Sequence, residues 1–125
     1  MATYTGNHTT AYRQQAVLTA PPGRLVVMLY DGCLRFLFQA AHALREGDRT
    51  TSLARMRRAE AIIDELTVTL DHERGGVIAS RLQGIYTFSR RHLMDAWRAD
   101  DADKIDQVSA LLGELREAWA EIEGS

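Results

Sequence analysis

The sequence predicts an all-α protein: an antiparallel up-down four-helix bundle preceded by a short N-terminal cap segment. Three observations lead there. Apolar residues recur at three- and four-residue intervals along most of the chain, the period of a helix with one buried face. Period-2 alternation bounded by hairpin turns is absent. Glycine and aspartate punctuate the chain at joints short enough to force neighbouring helices antiparallel.

The first helix is expected from Pro22 to Arg45. Proline suits the first helical position because its missing N–H needs no partner there, and Gly47 stands just past the end. Asp48 offers a capping carboxylate to a second helix, expected over Arg49 to His72. Gly75-Gly76 is expected to break that helix and admit positive φ for the reversal. A third helix then runs from Val77 to Ala99, and Asp100 or Asp101 caps a fourth that ends near Gly124.

Three of the helices carry ordinary stripes. On the fourth these are Ile105, Val108, Leu112, Leu115, Trp119 and Ile122; on the second, Met56, Ala59, Ile63, Leu66 and Leu70. The third has Ile78, Leu82, Ile85, Tyr86, Leu93 and Trp97. All are assigned to the core.

The first helix carries more apolar surface than a bundle position requires. Leu25, Leu29, Cys33, Phe36, Ala40 and Leu44 form one face, which Val27, Tyr30, Leu34, Leu37, Phe38 and Ala41 widen. At 100° per residue the apolar arc reaches roughly 220°. Two covers suit the excess: bundle neighbours with the N-terminal segment at the edge, or another polypeptide laid in a groove. Residues 1–20 are mostly polar but contain Tyr12, Ala16, Val17 and Leu18. So few anchors bury little area against the entropy of ordering, so such a segment is expected to dock and undock.

Composition narrows the function. At 125 residues the chain accommodates a single domain with one core. A net charge of −2 points away from a nucleic-acid binder, and the arginine clusters at Arg55, Arg57, Arg58 and at Arg90, Arg91 read as solvated helix faces. The apolar run from Leu25 to Tyr30 ends at Asp31, so no membrane insertion is expected. The N-terminus lacks the basic and apolar regions of a signal peptide, so the chain is expected to stay in the compartment where it is made. Cys33 stands alone and is read as a small core residue, without disulfide or thiolate metal site.

Catalytic chemistry is missing from the pattern. His8, His42, His72 and His92 are never three or four residues apart, and no Glu-x-x-His occurs, so no metal or other cofactor is expected. No glycine-rich phosphate loop or nucleophile–base arrangement appears, so neither an enzyme nor a small-molecule substrate is expected. A histidine-phosphotransfer-like signalling module, using His42 or His92, is the alternative from another class. Those histidines are followed by Ala-Leu-Arg and Leu-Met-Asp rather than by the lysine and small residue such modules usually present.

One resemblance is specific. Ala11-Tyr12, Val17, Thr19-Ala20-x-Pro22 and Leu25-Val26-x-Met28-Leu29-Tyr30-Asp31-Gly32 resemble the N-terminal signature of the flagellin-specific export chaperones, the FliS family. The likeness continues through Gly47-Asp48, Ile62-Ile63-x-Glu65-Leu66 and Leu70-Asp71-x-Glu73-x-Gly75-Gly76-x-Ile78-Ala79, then Leu111-Leu112 and Ala118-Trp119. Two positions depart from it: Pro21 stands where the family commonly has serine, and Val77 where it commonly has an acidic residue. The resemblance implies a cytoplasmic helical bundle that binds the disordered C-terminal region of flagellin. It further implies that binding blocks premature polymerisation and that flagellin is delivered to the flagellar type III export machinery. An export chaperone for another flagellar client is the nearer alternative. The groove that would contact either the cap segment or flagellin is expected to include Tyr12, Val17, Leu18, Val27, Tyr30, Leu34 and Phe38.

Overall fold

At the joints between helices, local chemistry satisfies the free backbone groups. The computed structural model describes residues 22–124, which form four helices: α1 (Pro22–Arg45), α2 (Arg49–Val68), α3 (His72–Ala99) and α4 (Ala102–Gly124). At the end of α1, Gly47 adopts φ 80°. The Asp48 N–H then reaches back to the Ala43 carbonyl at 2.9 Å and the Gly47 N–H to Leu44 at 3.1 Å, the paired bonds of a Schellman motif. Asp48 next caps α2, its carboxylate accepting from the Thr51 N–H.

The joint between α2 and α3 differs from the sequence expectation. α2 stops at Val68 rather than His72, and Asp71 caps α3 by accepting from the Glu73 and Arg74 N–H groups. The reversal therefore lies at Thr69–Asp71. Gly76 does take positive φ, at 49° with ψ −121°, but as a kink inside the first part of α3. A free carboxylate at Asp71 caps a helix immediately, so the chain restarts before it meets the glycines. The α3–α4 joint repeats the first: Asp100 sits at φ 55° as the C-cap residue, Asp101 N–H reaches the Ala96 carbonyl, and Asp101 accepts from the Asp103 N–H.

The pairing is antiparallel throughout. Arg45 at the end of α1 bonds Asp103 and Asp106 at the start of α4, while Asp31 near the start of α1 bonds Arg116 near the end of α4. Ser52 Oγ donates to the Ala40 carbonyl between α1 and α2. Asp64 pairs with Arg90 between α2 and α3, and His92 with Gln107 between α3 and α4. α1 thus packs on both α2 and α4, and α3 closes the ring on the same two neighbours.

One core serves all four helices, filled by Tyr30, Leu37, Met56, Ile63, Leu93 and Leu112 among others. Burial on α1 centres on Tyr30, Cys33, Leu37, Ala40 and Leu44, whereas Leu29 and Phe36 are partly buried beside it. The buried line is therefore rotated from the Leu25–Leu29–Phe36 face expected from sequence. An apolar arc of roughly 220° leaves its own centre undefined, and the small Cys33, Ala40 and Ala41 settle it by letting neighbouring helices approach. Two other core assignments are corrected: Ile78 is 67% exposed and Ile122 68% exposed. Both lie at the end of the bundle where α1 and α3 begin and α2 and α4 end, and there the helices enclose a groove.

Candidate functional site: an apolar groove at the open end

The groove holds about 700 Å3. Leu25, Val26 and Leu29 of α1 form one wall, Leu66 of α2 and Leu70 of the α2–α3 joint close one end, and Ile78 and Leu82 form the wall from α3. The kink at Gly76 and the tight passage at Gly75 shape that second wall. A Cβ on Gly75 would lie 2.9 Å from the Ala79 Cβ, closer than real Cβ atoms come. Val68, Val77 and Ile78, each at least 66% exposed, carry the apolar surface outward past the α2–α3 joint. An exposed patch of this kind, continuous with a groove, suits an apolar polypeptide better than a small polar molecule.

Beneath the groove lies a polar pair. Tyr86 lines the floor, and its hydroxyl meets that of Tyr30 at 2.6 Å. Burial is the main cause that raises the pKa of both phenols, with the mutual bond and neighbouring charge adding to it for Tyr30. Both rings stay neutral at physiological pH and hold α1 and α3 together across the diagonal of the bundle. Cys33, also fully buried, lies on the same helix; burial pushes its thiol up to about 12, which leaves it unreactive.

Comparison with known proteins decides the family. Residues 5–125 match the sequence model of the family described as "Flagellar protein FliS". The chain belongs to the FliS family. It is 37% identical to the flagellar secretion chaperone FliS of Salmonella typhimurium, across 95% of this chain and 92% of that protein. It is similarly related to the FliS proteins of Bacillus subtilis, at 34% identity over 90% of this chain and 84% of the relative. That of Campylobacter jejuni is 38% identical over 90% and 88%. Flagellar secretion chaperones are the company this bundle keeps.

In this FliS-family chain the residues singled out from sequence do not gather in one place. Tyr12, Val17 and Leu18 lie outside the described residues. Tyr30 is fully buried under the groove floor. Val27 is buried on the side facing α4, where it borders a shallower depression with Met28, Asp31 and Arg116. There Asp31 accepts two bonds from the Arg116 guanidinium, at 2.7 and 3.3 Å. Leu34 is half-buried against the core, and Phe38 is 74% exposed. Of the groove walls, Leu25 and Leu29 are assigned by sequence to the core face of α1, and Val26 to no face. The signal that finds them is the arc itself: once Tyr30 and Leu37 take the centre, Leu25 and Leu29 fall to its edge.

The remaining candidates are placed as follows. His42 is exposed, and His92 stacks on Phe88 with 4.9 Å between ring centroids while bonding Gln107. Arg57 pairs with the buried Glu60 at 3.5 Å, and Arg58 lies over the Phe36 ring. Among the described residues no group of three or more His, Cys, Asp or Glu is placed to hold a metal ion, and no helix is long and apolar enough to cross a membrane.

Proposed function

We propose that this chain is a cytoplasmic, non-catalytic secretion chaperone that binds the disordered C-terminal region of flagellin. Binding prevents premature polymerisation and presents the subunit to the flagellar type III export machinery. Membership in the FliS family and the residues quoted from the sequence support the client's identity. The observation that carries the mechanism is the open apolar groove, walled by three helices and completed by Trp119 of α4.

The physics suits a client that is disordered until bound. A flagellin tail that orders on the groove loses conformational entropy, at about 1–2 kcal/mol per backbone residue fixed. Apolar side chains set into the Leu25–Leu29 and Ile78–Leu82 walls offset that loss by leaving water. The exposed surface at Val68 and Val77 extends the area beyond the groove. No bond is made or broken; the chaperone acts by occupying apolar surface that flagellin otherwise uses to polymerise.

Isothermal titration of the purified chain with a peptide from the C-terminal tail of its cognate flagellin tests this. The expected result is a one-to-one complex with negative ΔCp, the mark of apolar burial. Absence of binding at micromolar concentrations overturns the proposal.

A further inference from the structure

The groove is apolar except at a few side chains, and accounting for their partners isolates one of them. Thr69 Oγ1 donates to the Leu66 carbonyl. Tyr86 is bonded to Tyr30. Asp71 accepts two backbone N–H bonds as the cap of α3 and lies 3.8 Å from Arg74 Nε. Glu65 also lines the groove, and its carboxylate has no hydrogen-bond or ion-pair partner among the described residues.

Its setting accumulates negative charge. Glu65 stands in the last turn of α2, a turn with no basic residue. The unsatisfied carbonyls of a helix C-terminus carry a partial negative charge, which a carboxylate there makes worse. Asp71 follows six residues later and also lines the groove, while no Lys or Arg does. For folding alone this placement is unfavourable. A cation brought in beside apolar side chains reverses its sign, because the attraction strengthens as water leaves.

We infer that Glu65 is a specificity-determining residue of the groove, taking a Lys or Arg side chain that the bound flagellin tail carries one helical turn from its apolar anchors. The occupant is an amphipathic helix with its cation at the edge of the apolar face, three or four residues from an anchor, the spacing at which side chains share a face. Apolar burial then supplies affinity, and the charge pair sets the register in which the helix lies. This inference rests on the function proposed above.

The test is a charge scan on both sides. The full-length chain and its Glu65→Gln variant are titrated with the cognate flagellin tail peptide and with peptides in which each Lys or Arg is replaced by Gln. Glu65 is exposed, so the variant retains the fold. The expected result is a roughly three- to tenfold loss of affinity for Glu65→Gln at low salt. That loss shrinks at high salt and disappears with one particular peptide, which identifies the paired cation.

If the unaltered chain binds the tail but Glu65→Gln matches it within twofold for every peptide, this inference is overturned and the proposed function stands. Failure of the unaltered chain to bind any tail peptide removes both. The chain's own N-terminal segment carries Arg13. Tighter peptide binding by both Glu65→Gln and Arg13→Gln assigns the carboxylate to that segment instead, which also overturns the inference.

Discussion

The Tyr30 and Tyr86 hydroxyls bond each other at 2.6 Å beneath the groove, joining α1 to α3 across the bundle diagonal. Two buried hydroxyls satisfy each other here, so removing that of Tyr30 strands Tyr86, while Tyr30 also has the Trp119 side chain beside it. Tyr30→Phe and Tyr86→Phe are each expected to lower unfolding free energy by about 1–2 kcal/mol. The double variant is expected to lose less than the sum, because no orphaned hydroxyl remains. Urea denaturation of the three variants measures this; strict additivity shows that the bond contributes nothing of its own.

The same burial sets an alkaline limit on stability. Burial raises the pKa of Cys33 from 9.0 to about 12, and those of Tyr30 and Tyr86 above their ordinary 10.0. Above those ordinary values the unfolded chain releases protons that the folded chain retains, so stability falls as pH rises. The contribution is whole below pH 9.0, where the unfolded thiol is still protonated. It declines first through Cys33, between pH 9.0 and about 12, and from pH 10.0 through the tyrosines as well. Each group contributes a slope of about 1.4 kcal/mol per pH unit while it differs between states. Urea midpoints taken from about pH 8 to about pH 11 follow this decline, and Cys33→Ala is expected to remove its earliest part. A flat profile across that range contradicts it.

Neighbouring residues on α1 show how far sequence reasoning reached. Helix count, the start and end of α1, the cap at Asp48 and the inward Met56, Ala59, Ile63 and Leu66 of α2 follow from spacing and cap chemistry alone, because each rests on one local rule; the buried Ser52 and Glu60 do not. The centre of the buried arc on α1 did not, because Leu37 and Phe38 are equally apolar and adjacent in sequence. What separates them is packing against α2 and α4, which periodicity does not contain. The groove escaped for a related reason: Ile78 and Ile122 keep the stripe spacing, but the helices part at that end and nothing described covers them. The separation is testable. Leu37 is fully buried and Phe38 is 74% exposed, so Leu37→Ala is expected to cost about 2–5 kcal/mol and Phe38→Ala less than about 0.5 kcal/mol.

Two residues with similar positive φ carry opposite side-chain choices. Gly76 sits at φ 49° and Asp100 at φ 55°. A Cβ on Gly76 would meet nothing within 4 Å, but φ 49° with ψ −121° lies outside the left-handed well open to other residues, so Gly76→Ala is expected to destabilise through backbone strain, by about 1–3 kcal/mol. Asp100, at ψ 45°, sits in the milder left-handed helical well; Asp100→Gly relieves that strain and is expected to raise stability by up to about 1 kcal/mol. The weak pairing of Asp100 with Arg49 at 3.5 Å, both side chains well exposed, offsets little of that. Thermal unfolding of the two variants should therefore move in opposite directions.

Groove and α1 face make separable predictions for client binding. Ile78 lines the groove yet is 67% exposed, so its replacement removes proposed client surface without opening the core. Ile78→Asp also places a carboxylate just after the Gly76 kink, near the start of the regular part of α3, where a negative charge favours the helix. The variant is expected to keep its urea midpoint and to lose about tenfold or more in affinity for the flagellin tail, since an apolar anchor is exchanged for a charge that must be desolvated. Phe38→Asp tests the other face in the same assay. Loss of affinity there with stability unchanged extends the binding surface along α1 through Leu34 and Phe38. Loss at Ile78 alone confines it to the open end, and an unchanged affinity for Ile78→Asp removes the groove from the mechanism.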